Sequence, residues 1–176
     1  MGNFKEDIAK VKAIVLDVDG VLTDGDIIVT PEGDFLRKYN AKDGFALAYA
    51  IKRGFPVGII TGGRGKCLEL RLDMLGIRHK YMNCIDKPSA LKDFIEKTGI
   101  AAEDILFMGD DIPDIEPMMH VGMPVCPADA VPEIMKISRY VSQFKGGAGC
   151  VRDIVEQVLR ARGEWIHPGD SMPPSA

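Results

Sequence analysis

The chain has 176 residues, 46% of them hydrophobic and 27% charged, an ordinary balance for a single globular domain with a sizeable core. The net charge of −4 speaks against nucleic acid as the main partner, and no apolar run approaches the ~20 residues a membrane helix needs. The opening MGNFKEDIAK lacks the apolar stretch of a signal peptide, and Cys67, Cys84, Cys126 and Cys150 form no Cys-x-x-Cys pair, so a cytoplasmic protein with neither a zinc site nor a redox pair is expected.

Along the chain, residues 11–16 are a short apolar run ending at an Asp-rich turn and read as a buried strand. Residues 26–30 and 34–39 are β-prone stretches around Pro31-Glu-Gly33, the pattern of a hairpin. Residues 43–52 read as a helix with Asp43 placed to cap it. A strand at 56–60 and a helix at 66–75 closed by Gly76 follow. A weak strand at 78–82 leads to a helix that Pro88 opens and that ends before Gly99. Then come a strong strand at 104–109, a short helix at 112–119, a strand at 121–125 and a helix at 131–136. After a turn at 146–149, residues 150–160 form an amphipathic helix. Such alternation implies a parallel sheet with helices on both faces. The chain reads as one domain over 1–163, with a flexible tail at 164–176 rich in Pro and Ser.

Open parallel sheets bind ligands at the carboxyl ends of their strands. Four polar clusters fall there: Asp17-Val-Asp19, Thr61-Gly62, Lys87 and Asp110-Asp111. Two carboxylates spaced i, i+2 across a strand-to-loop turn converge on a metal, and a third from a neighbouring strand completes an oxygen-rich site of the kind magnesium prefers. Each cluster alone has a plainer reading. An Asp after a strand is often a loop or cap residue, Thr61 suits a helix cap, and a lone lysine is usually solvated. Independent strands delivering all four to one edge is what carries the chemistry.

Asp17-Val-Asp-Gly-Val-Leu-Thr-Asp24, Thr61 after an apolar strand, Lys87 and Gly109-Asp-Asp-Ile-Pro-Asp114 stand in the order of the haloacid dehalogenase superfamily of phosphohydrolases, which the chain resembles. The resemblance implies a Rossmann-like three-layer α/β fold. It makes Asp17 the nucleophile, Asp19 the acid and base, Thr61 a hydrogen-bond donor to a phosphoryl oxygen and Lys87 the neutralising cation. It also implies Mg2+ held by Asp17, the Asp19 backbone carbonyl and Asp110, with Asp111 and Asp114 orienting Lys87 or metal-bound water. Only 44 positions (17 to 61) and 26 positions (61 to 87) separate the motifs, so neither interval has room for a cap domain.

The hairpin at 26–39, Asn40-Ala-Lys-Asp-Gly44, Arg71, Asp86-Lys87 and Gly146-Gly-Ala-Gly149 are similar to the 3-deoxy-D-manno-octulosonate 8-phosphate phosphatases of lipopolysaccharide sugar synthesis. Those are capless homotetramers whose hairpins assemble a central barrel and whose subunits cover one another's sites. The resemblance implies a small sugar-phosphate substrate touched by Asn40, Lys42, Asp43, Gly44, Gly62 and Arg71. Here the sequence has Ala48 where the family often has a basic residue, and Thr61-Gly62-Gly63-Arg64 where it usually has Thr-Gly-Arg. Arg64 therefore stands as the replacement for the missing guanidinium. A nine-carbon 2-keto-acid sugar 9-phosphate is the alternative substrate. A non-catalytic binding or assembly protein is the alternative of another class, disfavoured by Asp17, Asp19, Thr61, Lys87 and Asp110 together. Ile27, Val29, Phe35 and Leu36 give the hairpin apolar surface for pairing with copies of itself.

Overall fold

The computed structural model describes residues 4–173. Six parallel strands form the central sheet in the order β5-β4-β1-β6-β7-β8. They are β1 (Ala13–Leu16), β4 (Val57–Ile60), β5 (His79–Tyr81), β6 (Ile105–Met108), β7 (Met123–Cys126) and β8 (Tyr140–Val141). Every residue of β1, β4, β6 and β7 is buried, as expected for strands covered on both faces. Alternate side chains separate two cores. Ile14 and Leu16 pack under helices α2 (Ala41–Lys52) and α7 (Cys150–Ala161), while Ala13 and Val15 face the cluster containing Leu91 and Phe94 of helix α4 (Lys87–Thr98). Helices α5 (Ile115–Met119) and α6 (Pro132–Ile137) share that second layer, and α3 (Lys66–Met74) belongs to the first. This is the expected three-layer parallel α/β fold. Among the described residues no helix is long and apolar enough to cross a membrane.

The hairpin is thinner than its sequence suggests. Only β2 (Ile28–Val29) and β3 (Phe35–Leu36) pair, two residues each, around a turn in which the Asp34 N–H donates to the Thr30 hydroxyl. A two-stranded ribbon with no third partner loses pairing quickly away from its turn.

Four other differences have local causes. Helix α2 begins at Ala41 because Asn40 caps it, its Oδ1 accepting from the Lys42 N–H at 2.8 Å; Asp43, expected as that cap, lies inside the first turn. Helix α1 (Phe4–Ile8) and strand β8 were not anticipated; both are too short to carry a period, and Phe4 stacks on Tyr140 with ring centroids 5.0 Å apart. The helix expected over 112–119 opens as a 3-10 turn (Ile112–Asp114) before α5. The start of the tail touches the domain. Trp165 is buried edge-on against Tyr49, whose hydroxyl donates to Asp170. The last part of that tail, 174–176, and residues 1–3 lie outside the described residues.

Candidate active site

The carboxyl ends of β1, β4 and β6 meet where the chain leaves β1 for neighbours on either side, and a cleft of about 490 Å³ opens there. It is lined by Asp17, Asp19, Thr61, Gly62, Lys87, Asp110 and Asp111, among others. Asp17 directly follows β1 and is pinned at its backbone, its N–H donating to the Met108 carbonyl at 3.0 Å. Its Oδ1 accepts from the Val18 N–H at 2.7 Å. Its Oδ2 accepts from Lys87 Nζ at 2.9 Å.

Lys87 is the first residue of α4, held there because Asp86 caps the helix by accepting from the Ser89 N–H at 3.0 Å. Its ammonium also donates to Asp114 Oδ1 at 2.7 Å, so one buried cation bridges two buried carboxylates. Burial works against that charge, but Asp17 and Asp114 outweigh it and hold the lysine protonated above its ordinary value. Asp114 Oδ2 accepts from the Asp110 N–H at 3.2 Å, so both oxygens of Asp114 are engaged. A Cβ on Gly109 would come within 2.5 Å of Asp114, so only glycine lets the loop fold this tightly. Asp114 thus positions Lys87 and the Asp110 backbone. Asp111 is exposed and turns its Oδ1 back on the Ile112 N–H at 2.8 Å.

Asp110 is different. Its Oδ1 is buried without a hydrogen-bond partner. Burial first, then the charges of Asp17, Asp114 and Asp111, push its carboxyl up to about 8, and burial and Asp17 push Asp114 up to about 6. Asp17, Asp110 and Asp114 offer oxygens all within 4.8 Å of one another. With all three ionised, these carboxylates against the single ammonium of Lys87 would leave two negative charges uncompensated, the charge a divalent cation supplies. Asp17 and Asp110 line the cleft whereas Asp114 is fully buried beneath it, so the residues that fit such an ion are Asp17 and Asp110, a hard oxygen set that suits magnesium. Thr61 is buried beside them, and its Oγ1 accepts from the Gly63 N–H at 3.0 Å, leaving the hydroxyl proton free for a ligand.

Of the expected sugar-contacting residues, only Gly62 lines this cleft within one chain. Asp43 is 1% exposed, and its Oδ1 accepts from the Arg152 N–H at 2.7 Å, so within this chain it caps α7. Gly44 leaves a notch filled by the Arg71 guanidinium, which also lies 5.6 Å from the Tyr39 ring. Asn40 is spent on its cap, and Lys42 borders a separate depression with Phe144, Arg152 and Glu156. Arg64, expected as the replacement guanidinium, stacks over Phe35 at 5.3 Å. The cation beside the acid is Arg37, which the sequence reading did not single out. Its Nε and Nη2 donate to Asp19 Oδ1 and Oδ2 at 2.6 and 3.0 Å. The signal available was the extra glycine: a Cβ on Gly63 would stand 3.0 Å from Arg37 Nη2, so that position is empty where Arg37 arrives.

A buried aspartate directly after the first strand, a lysine bridging it to a second carboxylate and a partnerless acid beside them are the arrangement expected of a haloacid dehalogenase-like hydrolase. The family model of that description matches residues 76–152. The 3-deoxy-D-manno-octulosonate 8-phosphate phosphatase of Escherichia coli K12 is 38% identical over 154 residues, 88% of this chain and 82% of that protein. The crystal structure of the Yersinia pestis phosphatase of the same name superposes with a TM-score of 0.89 at 35% identity, covering 91% of this chain and 86% of that one. The Moraxella catarrhalis one, in complex with magnesium ion, phosphate ion and a KDO molecule, superposes with a TM-score of 0.88 at 30% identity, covering 92% of each. The chain belongs to the family of 3-deoxy-D-manno-octulosonate 8-phosphate phosphatases, and it is a phosphoric monoester hydrolase.

Proposed function

We propose that this chain is a magnesium-dependent phosphatase that converts 3-deoxy-D-manno-octulosonate 8-phosphate to the free sugar acid and phosphate through an aspartyl-phosphate on Asp17. The observation that carries the reading is Lys87 bridging Asp17 and Asp114 beside the partnerless Asp110, all at the strand ends of one cleft. The Moraxella relative's magnesium, phosphate and KDO support the cofactor and the sugar.

The residues divide the work. Asp17 Oδ2 attacks phosphorus, and the Lys87 ammonium, already on that carboxylate, neutralises charge shared with the phosphoryl oxygens. Thr61 donates its hydroxyl proton to one of those oxygens. Asp19 protonates the departing sugar oxygen and afterwards takes a proton from the water that hydrolyses the aspartyl-phosphate. Magnesium, when held by Asp17, the Asp19 carbonyl and Asp110, supplies the positive charge that lets an anionic ester approach an anionic nucleophile.

The same proposal includes a cytoplasmic homotetramer. The four cysteines are free thiols, which suits a reducing compartment. The hairpin exposes Ile27, Ile28, Val29 and Leu36, and Ile85 stands 98% exposed at the rim of the catalytic cleft. A neighbouring subunit covering these would close an otherwise open site and bring Lys42 or Arg71 towards the sugar acid. Arg71 keeps a buried Nε without a partner for such a carboxylate.

The test is a panel of 2-keto-sugar phosphates assayed with magnesium, with Asp17→Asn as control. The eight-carbon ester should exceed a small aryl phosphate in kcat/KM by orders of magnitude. Preference for a nine-carbon 9-phosphate would replace the substrate and leave the reaction standing. No turnover of any ester would restore the binding-protein reading.

A further inference from the structure

We propose that Arg37, carried on the hairpin, is the positioning residue of Asp19: it holds the carboxylate at the cleft in a resting state from which one oxygen is released to give and take the proton. This rests on the reading of Asp19 as acid and base given above.

The pair is a fork on a carboxylate, with Nε to Oδ1 at 2.6 Å and Nη2 to Oδ2 at 3.0 Å. The Arg37 side chain is 3% exposed and that of Asp19 is 26% exposed, so the cation sits beneath an acid that still reaches the cleft. The guanidinium is itself fixed from two sides. Its Nη1 donates to the Phe35 carbonyl at 3.2 Å on the hairpin and to the Arg64 carbonyl at 3.3 Å on the loop after β4. Gly63 makes the approach possible. A Cβ there would stand 3.0 Å from Arg37 Nη2, 3.1 Å from Thr61 Oγ1 and 3.2 Å from Asp19 Oδ2, tight against all three groups. The residue that lacks a side chain is therefore the one around which the acid, its arginine and the phosphate-binding threonine converge.

The chemistry sets the role. With both oxygens accepting from the fork, neither holds a proton for the leaving group. For turnover one of the two bonds opens while the other keeps the carboxyl from swinging away. The released oxygen first takes up a proton from solvent and then gives it to the ester oxygen, which departs as the alcohol. The carboxylate then removes a proton from the attacking water, whose oxygen bonds to phosphorus as the bond to Asp17 breaks. Asp19 ends protonated on that oxygen and returns the proton to solvent as the fork re-forms. A positioning residue of this kind matters most where proton donation limits the rate.

The experiment uses the full chain with magnesium and two generic esters, p-nitrophenyl phosphate and a simple alkyl phosphate, in single-turnover mode. Nitrophenolate leaves with little help from an acid; an alkoxide does not. Arg37→Ala should slow alcohol release from the alkyl ester by roughly 10- to 100-fold, part of the ~10²–10⁴ that acid catalysis contributes. The nitrophenolate burst should stay within about 3-fold, and phosphoenzyme should then accumulate because water attack also needs Asp19. In an Asp19→Asn background the same substitution should cost nothing further, the signature of residues acting as one unit. Arg37→Gln, which keeps the stem and one N–H donor, should lie between and guards against a variant that fails to fold. Equal losses on both esters, or a full additional loss in the Asp19→Asn background, would overturn the proposal and leave Arg37 as a hairpin tie or a phosphate contact. Turnover of both generic esters without the octulosonate ester would sink the substrate reading and leave this test intact.

Discussion

The ends of β1, β4 and β6 and the hairpin of β2 and β3 both send charged groups towards Asp19, but they are held by opposite means. Asp17, Thr61 and Lys87 are buried and stand directly after four-residue strands or at the start of a capped helix, so the sheet and two cores fix them before any ligand arrives. Arg37 comes from a ribbon of two-residue strands whose Ile28 and Val29 are 67% and 62% exposed. The hairpin gets little from its own domain. On the proposed mechanism, chemistry at phosphorus is built into the floor, while orientation of the acid and cover for the substrate would depend on an element with little support from its own domain.

The largest effect expected on the floor is that of Asp17→Asn. The amide keeps the size and the Val18 contact but is no nucleophile. Turnover should drop by at least about 10³-fold with the melting temperature held. Substantial residual turnover would end the aspartyl-phosphate assignment. Next is Lys87→Met, which removes the cation between Asp17 and Asp114 and leaves their charges buried and uncompensated. Here stability should fall with activity, by ~3–5 kcal/mol, as when one partner of a buried pair is lost. Urea titration with and without magnesium measures it, and unchanged stability in chelator would mean the bridge is not what holds the floor.

The hairpin should behave in reverse. Ile28→Asp with Val29→Asp should cost the folded domain no more than about 0.5 kcal/mol, the scale of exposed substitutions. It should lower the mass seen by light scattering to that of a monomer and reduce kcat/KM for the sugar ester on the order of ten-fold. A monomeric parent chain, or an assembled variant with full activity, would remove the division between the two regions.

How far the sequence reveals each region follows the same line. Strands buried on both faces write themselves as unbroken apolar runs, so β1, β4 and β6 and the polar residues after them were legible. Contacts between distant elements leave no period. The Asp43 carboxylate capping α7 and Arg37 crossing from the hairpin to Asp19 depend on tertiary placement 109 and 18 positions away. Asp43 looked like a cap for its own helix because Asp near a helix start usually is one. Arg64 looked like the missing guanidinium because neighbours in sequence were the only ones visible.

The smallest effect belongs to Asp43, at the join between α2 and α7, and it separates structure from substrate binding there. Burial pushes its carboxyl up to about 6, against the backbone N–H of Arg152 that favours the charged form. A raised folded value means the native state binds more protons than the unfolded chain between about pH 4 and 6. Stability from this group is therefore lost as pH rises through that window and stays lost above it. Its Oδ2 has no hydrogen-bond partner, so the charge is only half compensated. In Asp43→Asn the side-chain amide would keep an acceptor for the Arg152 N–H and carry no charge, but its NH2 would enter a place with no acceptor, costing ~1–3 kcal/mol of the relief. The net for Asp43→Asn at pH 8 should be a gain of about 1 kcal/mol, or roughly 2–4 °C in Tm. That gain should shrink to nothing or reverse as pH falls towards 4, where the parent carboxyl is neutral too. Melting curves of parent and variant between pH 4 and 8 decide it. Parallel curves would mean that Asp43 does not titrate in the fold, and a fall in kcat/KM at unchanged Tm would return it to the substrate.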